Sequence, residues 1–243
     1  MTDRTVLSLT GSDRIEFLQG LVTNDVTCAK DGIIYTALLT PQGKFIADFF
    51  VVGQEDRLLI DVDTSVAPQL FQRLSMYRLR ADVQITETGL AASTGTGPAP
   101  AGALQDPRHA AMGWRAYGEQ DVSDKTHWDA LRVTHLIPQT GVELTPETYI
   151  LEANFEALKG VDFKKGCFVG QEIVVRMKHK TELKKVLRRV LIDGQAAVGD
   201  AIMSGEKSAG TLHTVSGNQG IAYLRFDRAK DMKTQKASLR LAD

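Results

Sequence analysis

With 243 residues, 43% hydrophobic and 24% charged, the chain has room for one large domain or two to three small ones, and too much apolar content for a disordered coil. No apolar run approaches the ~20 residues that span a bilayer; the longest, residues 45–53, is broken by Asp48. The net charge of −1 is unevenly spread: residues 163–189 carry nine basic and two acidic side chains, whereas residues 1–162 carry 13 basic and 22 acidic ones.

The opening MTDRTVLSLTG has no long apolar stretch and fits neither a secretory signal nor an Arg-rich transit peptide. Ser12 or Asp13 can cap a helix with Ile15, Leu18 and Val22 on one face and Phe17 and Leu21 alongside. Strand-like runs follow at 33–40, 44–52 and 57–63, the first two joined by a Pro41-Gln42-Gly43 turn. Val66, Leu70, Phe71, Leu74 and Tyr77 have helical spacing, and residues 82–87 read as a strand. This order predicts an α+β layer with helices on one sheet face. Residues 89–107, small, Gly/Pro-rich and nearly uncharged, read as a loop or a mobile linker. Next come a short strand at 113–117, a helix capped near Ser123 and stopped by Pro138, and an irregular stretch to residue 162. A helix is expected from about Gly170. From Lys185 onward, period-two alternation between Gly-containing turns predicts a small antiparallel β domain.

Two cysteines, Cys28 and Cys167, cannot staple a chain of this length and form no CxxC, so a reducing compartment is expected. Nor can they supply the four thiolates that usually hold an iron–sulfur cluster. Cys167 lies in Lys164-Lys165-Gly166-Cys167-Phe168-Val169-Gly170-Gln171-Glu172. Two lysines and a following helix N-terminus favour the thiolate, the nucleophilic and metal-binding form; a small buried cysteine in a tight turn is the other reading. The basic block at 163–189 attracts anions or is a solvated face, and both readings stand. The five histidines show no metal-ligand spacing, and no Walker loop, GxGxxG or GxSxG is present. Asp48, inside an apolar strand, either points outward or lines a polar cavity. A hairpin would bring Tyr35 near it, and an aromatic ring beside a carboxylate suits a flat heterocycle with N–H donors.

The Lys164–Glu172 segment resembles the signature of the YgfZ group of folate-binding proteins, relatives of the glycine-cleavage T-protein (aminomethyltransferase). Leu9–Asp13, Phe17–Gly20, Thr23–Val26, Thr40–Lys44, Arg78–Val83, Asp106-Pro107-Arg108, Ile137-Pro138 and Gly220–Arg225 resemble the same group, in the same order. The resemblance implies an α+β fold: a three-domain T-protein-like ring. Its parts would be a discontinuous folate-binding domain (1–48 and 111–180), a ferredoxin-like middle domain (49–110) and a C-terminal β-barrel (181–243). It implies chemical roles for Cys167 and Asp48, and folate contacts from Tyr35, Asp48, Asp25, Lys164, Lys165 and Gln171, with no metal-ligand set. The glutamate that holds the pterin in the T-protein pattern is replaced by Thr134.

The function expected is a tetrahydrofolate-binding accessory factor for iron–sulfur cluster assembly or repair, monomeric, in a bacterial cytoplasm. Its partners would be folate and iron–sulfur client or assembly proteins, with no membrane. The alternative is a folate-dependent one-carbon (aminomethyl) transferase with Asp48 as its acid–base or positioning group. An RNA-associated module is the third and weakest reading, because no RNA-binding signature accompanies the basic block.

Overall fold

The computed structural model describes residues 3–180 and 183–242. By its internal contacts the chain divides into two compact units, residues 1–126 with 155–175 and residues 127–154 with 176–243.

The first unit begins with β1 (Arg4–Thr10), α1 (Arg14–Gln19), β2 (Ile33–Leu39), β3 (Phe45–Gly53), β4 (Leu58–Asp63), α2 (Ala67–Tyr77) and β5 (Gln84–Glu87). The strands make an antiparallel sheet in the order β2-β3-β4-β1-β5. Its helical face carries Leu7, Leu9, Phe49, Val51, Leu58, Ile60 and Val62, packed with Leu18 of α1 and with Leu70 and Leu74 of α2. Leu70 and Leu74, one helical turn apart, are fully buried; each contributes about 1.5–3 kcal/mol of burial. The expected helix cap is built differently. Asp13 makes no side-chain cap bond; instead its carboxylate accepts from the Asp82 N–H at 2.8 Å, while Ser12 Oγ donates to Asp82 at 3.0 Å. These residues clamp the loop before β5 onto the start of α1.

The second face of the sheet is buried as well, which is why β3 and β4 read as apolar runs without alternation. It is covered by β6 (Ala91–Gly95), β7 (Leu104–Gln105) and β8 (Trp114–Gly118), a three-stranded sheet in the order β6-β8-β7. Val6, Val52 and Leu59 meet Leu90, Ala92, Leu104 and Tyr117 there. The expected loop at 89–107 therefore contains two strands. Its small residues make room for close neighbours: a Cβ on Gly95 would lie 2.5 Å from the Trp114 ring and 2.6 Å from an Asp124 oxygen.

In the second unit, α3 (Trp128–His135) starts well after Ser123, whose hydroxyl instead accepts from the Thr94 N–H. α3 ends at Leu136 in the left-handed region, just before Pro138. Arg132 of α3 is buried and donates to Glu143 at 2.5 Å and to Thr214 at 3.2 Å. α4 (Gln171–Lys180) crosses the division between the units. The remaining strands are β9 (Lys185–Gly194), β10 (Ala201–Ser204), β11 (Lys207–Ser216), β12 (Gln219–Arg225), β13 (Met232–Lys233) and β14 (Ala237–Leu241). They close a six-stranded barrel in the order β10-β11-β12-β9-β14-β13, filled by Val190, Ile202, Leu212, Ala222, Leu224 and Leu239. The expected barrel start at Thr181 lies outside the described residues; the first barrel strand begins at Lys185. Among the described residues, no helix is long and apolar enough to cross a membrane.

Candidate functional site

Phe50 pairs with Tyr35 across β2–β3 and with Asp61 across β3–β4, so the three side chains form a row on the sheet face turned away from the helices. Asp48, two residues before Phe50, shares that face. The Tyr35 hydroxyl donates to Asp48 Oδ2 at 2.8 Å. The Tyr35 ring lies between Phe50 and Phe155, at centroid distances of 5.3 and 5.1 Å. Tyr35 is 0% and Asp48 4% exposed. Burial, then the neighbouring Asp48 charge, push the Tyr35 hydroxyl pKa well above its ordinary value, against the opposing pull of Arg108. Sequence reasoning brought these two residues together, and the hairpin does so.

The rest of the layer is ionic. Asp61 accepts from Arg4 at 2.6 Å and from Arg115 at 2.5 and 3.0 Å, and takes the Tyr117 hydroxyl at 2.9 Å. Asp106 binds Arg108 through Nε at 3.0 Å and Nη2 at 2.7 Å, and lies 3.5 Å from Arg115. Burial alone would raise the Asp61 carboxyl, but the Arg115 and Arg4 guanidinium groups outweigh it and hold it at about 2. Asp106 is likewise lowered: burial opposes, and Arg108 decides. Asp61 and Arg115 were not singled out from the sequence. The available signal was an aspartate inside the apolar run Leu58–Val62, the same pattern that marked Asp48.

The Cys167 segment is pinned on both sides. Lys165 is buried, and its ammonium donates to the Gln19 carbonyl at 2.6 Å and to the Val22 carbonyl at 2.5 Å, closing the C-terminal end of α1. Burial lowers its pKa to about 8, opposed by Asp25 and Asp162. Phe168 is buried. Gly170, at φ +84°, sits against the Thr40–Lys44 turn, where a Cβ would lie 2.6 Å from the Thr40 carbonyl. Between Lys165 and Phe168, Gly166 and Cys167 are exposed, as is Lys164 just before them. The two lysines thus divide: Lys165 is committed to backbone carbonyls, and Lys164 faces solvent. Cys28 is exposed too, so accessibility does not separate the two thiols.

The other expected contacts have local roles. Asp25 caps the 3-10 turn at Val26–Asp31, accepting from the Thr27 N–H and hydroxyl and from Gln19; the Thr27 hydroxyl leads in lowering its pKa. Gln171 begins α4, its amide 3.5 Å from the Gly166 carbonyl. Thr134, in the second unit, is exposed and returns its hydroxyl to the Ala130 carbonyl at 2.8 Å. Among the described residues, no three His, Cys, Asp or Glu side chains gather as metal ligands. A carboxylate acceptor, a guanidinium donor and aromatic rings in one nearly buried layer are the group types that suit a flat heterocycle offering both N–H donors and a carbonyl.

Comparison with known proteins decides the fold. The structure superposes on the glycine cleavage system aminomethyltransferase T of Bartonella henselae with a TM-score of 0.77 at 14% identity, covering 99% of this chain and 83% of that one. The fold is that of a T-protein. Residues 184–243 match the family described as the CAF17 C-terminal beta-barrel domain. In sequence the chain is similar to the mitochondrial iron-sulfur cluster assembly factor IBA57 of human, with 26% identity over 275 residues, 93% of this chain and 77% of that protein. The IBA57 homologues of Neurospora crassa and Mycosarcoma maydis are 30% and 29% identical, over 76% and 75% of this chain but 51% and 54% of their own lengths. The chain thus spans about half the length of these fungal relatives. The structural match bears out the T-protein fold, and the sequence relatives carry the IBA57 name rather than that of the YgfZ group. They also overturn the cytoplasmic location expected from the sequence: the fungal and human relatives are all named as mitochondrial.

Proposed function

We propose that this chain is an accessory factor for iron–sulfur cluster assembly or repair that presents Cys167 to client or assembly proteins and binds tetrahydrofolate or a derivative at the Tyr35–Asp48 surface. The observation that carries the reading is the anchored loop: buried Lys165 and Phe168 and the glycine contact at Gly170 hold the chain on either side of an exposed thiol. Rigid flanks around a reactive group are what a site needs and a surface turn does not. The similarity to proteins named as iron-sulfur cluster assembly factors supports it, as does the resemblance of Lys164–Glu172 to the YgfZ signature. Two cysteines provide at most two thiolates, so a cluster handled at Cys167 takes further ligands from its partner.

The residue types at Tyr35 and Asp48 fit a pterin. Asp48 would accept from ring N–H groups, beside an aromatic cluster of Tyr35, Phe50 and Phe155 that is itself buried. Tyr35 and Asp48 now satisfy each other, so a bound pterin takes over part of that hydrogen bond. In the three-domain division drawn from the sequence, Tyr35, Asp48 and Cys167 all fall in the discontinuous first domain. The T-protein fold favours a second reading, an aminomethyl transferase, in which Asp48 positions the amine. Calorimetry with tetrahydrofolate, paired with a turnover assay on an aminomethyl donor, separates the two. Binding without turnover is the expected result; turnover selects the transferase, and no binding removes folate from both.

A further inference from the structure

Arg108 borders the same surface and has no role in the reading above. Its Nε and Nη2 and its backbone N–H all bind Asp106, so the guanidinium is held rigidly. No described residue accepts from its Nη1. The guanidinium carbon lies 4.8 Å from the Phe50 ring centroid and 5.4 Å from that of Tyr35. The Arg108 side chain keeps 9% exposure, against 1% for Arg115. Arg4, Arg108 and Arg115 share two carboxylates, Asp61 and Asp106. With Asp48, buried on the same face, three carboxylates balance the three guanidinium groups, and what the layer leaves open is the Arg108 Nη1 donor, a desolvated N–H that an acceptor from a ligand would satisfy. Tyr35 is therefore flanked by an acceptor, Asp48, at its hydroxyl and a fixed donor, Arg108, against its ring.

We propose that Arg108 is the specificity-determining donor of the folate site: Asp48 accepts from the N–H groups of the pterin edge and Arg108 donates to its 4-oxo group. This rests on the folate reading. Its consequence is discrimination against 2,4-diamino pteridines. Replacing the 4-oxo acceptor by an amino group sets one donor against another and leaves a desolvated guanidinium N–H unpaired.

The test is the ratio of dissociation constants for a 4-oxo folate and its 4-amino-4-deoxy analogue, measured by calorimetry on the full chain and on Arg108→Gln and Arg108→Lys. Wild type is expected to prefer the 4-oxo ligand by roughly tenfold or more. In Arg108→Gln, whose amide also offers an acceptor, the ratio is expected to fall toward one. Because it is a ratio, it does not depend on the fraction folded; Arg108→Lys, which keeps a donor, is expected to retain the preference, and if Arg108→Gln binds neither ligand the wild-type ratio decides. Equal affinities in wild type, or an unchanged ratio in Arg108→Gln, overturn the assignment of Arg108 and leave the folate reading intact. Failure of wild type to bind either ligand overturns the folate reading and this assignment with it.

Discussion

The hydroxyl of Tyr35 donates to Asp48 Oδ2 at 2.8 Å across adjacent strands, with both side chains almost wholly withdrawn from solvent. A hydrogen bond to a carboxylate is worth more than a neutral one, and losing the donor takes one bond from a desolvated acceptor. Tyr35→Phe keeps the ring against Phe50 and Phe155 and removes only the donor. It is expected to lower the unfolding free energy by about 1–3 kcal/mol in urea denaturation. An unchanged midpoint would show that water replaces the hydroxyl.

Asp61 makes stability depend on acid. Its folded pKa of about 2 lies below the unfolded value of about 3.9. The unfolded chain therefore binds more protons between these values. The stabilisation is complete above about pH 4 and is lost as pH falls through about 2. Asp61→Asn is expected to flatten that part of the pH–stability curve. It should also cost about 3–5 kcal/mol at neutral pH, because Arg115 and Arg4 are left without their shared carboxylate. A curve parallel to wild type below pH 4 would assign the acid sensitivity elsewhere.

Much of the first unit was legible because the local patterns agreed with the fold. Residues 33–63 alternate between apolar strands and polar turns, and the Pro41-Gln42-Gly43 turn fixes the β2–β3 hairpin that joins Tyr35 to Asp48. The stretch at 89–107 was misread because small residues signal loops, whereas here they admit Trp114 and Asp124 at close range. Ser123 looked like a helix cap because it is a serine shortly before an amphipathic run; its hydroxyl is taken by the Thr94 N–H. The Asp61–Arg115 pair joins residues 54 positions apart and depends on one sheet covering another, which no local window contains. Lys165 carried a motif but not its direction. That its ammonium turns to the end of α1 follows from tertiary packing alone.

Gly170 links the cysteine loop to the β2–β3 turn. At φ +84°, with Thr40 O 2.6 Å from a would-be Cβ, alanine is both strained and crowded. Gly170→Ala is expected to destabilise the chain by about 1–3 kcal/mol and to speed proteolysis within residues 164–170. Wild-type stability and cleavage would mean that the loop is not held at this point.

Lys164, the exposed lysine of the basic block that lies in the first unit with Tyr35 and Asp48, is free to meet an anion. If the block receives the acidic tail of a folate, a pentaglutamyl form binds more tightly than the monoglutamate at low salt, and the difference shrinks as salt is added. Equal affinity at low ionic strength would return the block to a solvated face.

The presentation of Cys167 is tested most directly in cells whose own copy carries Cys167→Ser or, for comparison, Cys28→Ser. Both thiols are exposed, but only Cys167 lies on the loop held by Lys165, Phe168 and Gly170. The measurement is the activity of iron–sulfur enzymes at equal levels of folded protein. Cys167→Ser should lower those activities severalfold while Cys28→Ser leaves them near wild type. Full activity with Cys167→Ser would contradict a chemical role for the thiol and leave the loop a structural turn.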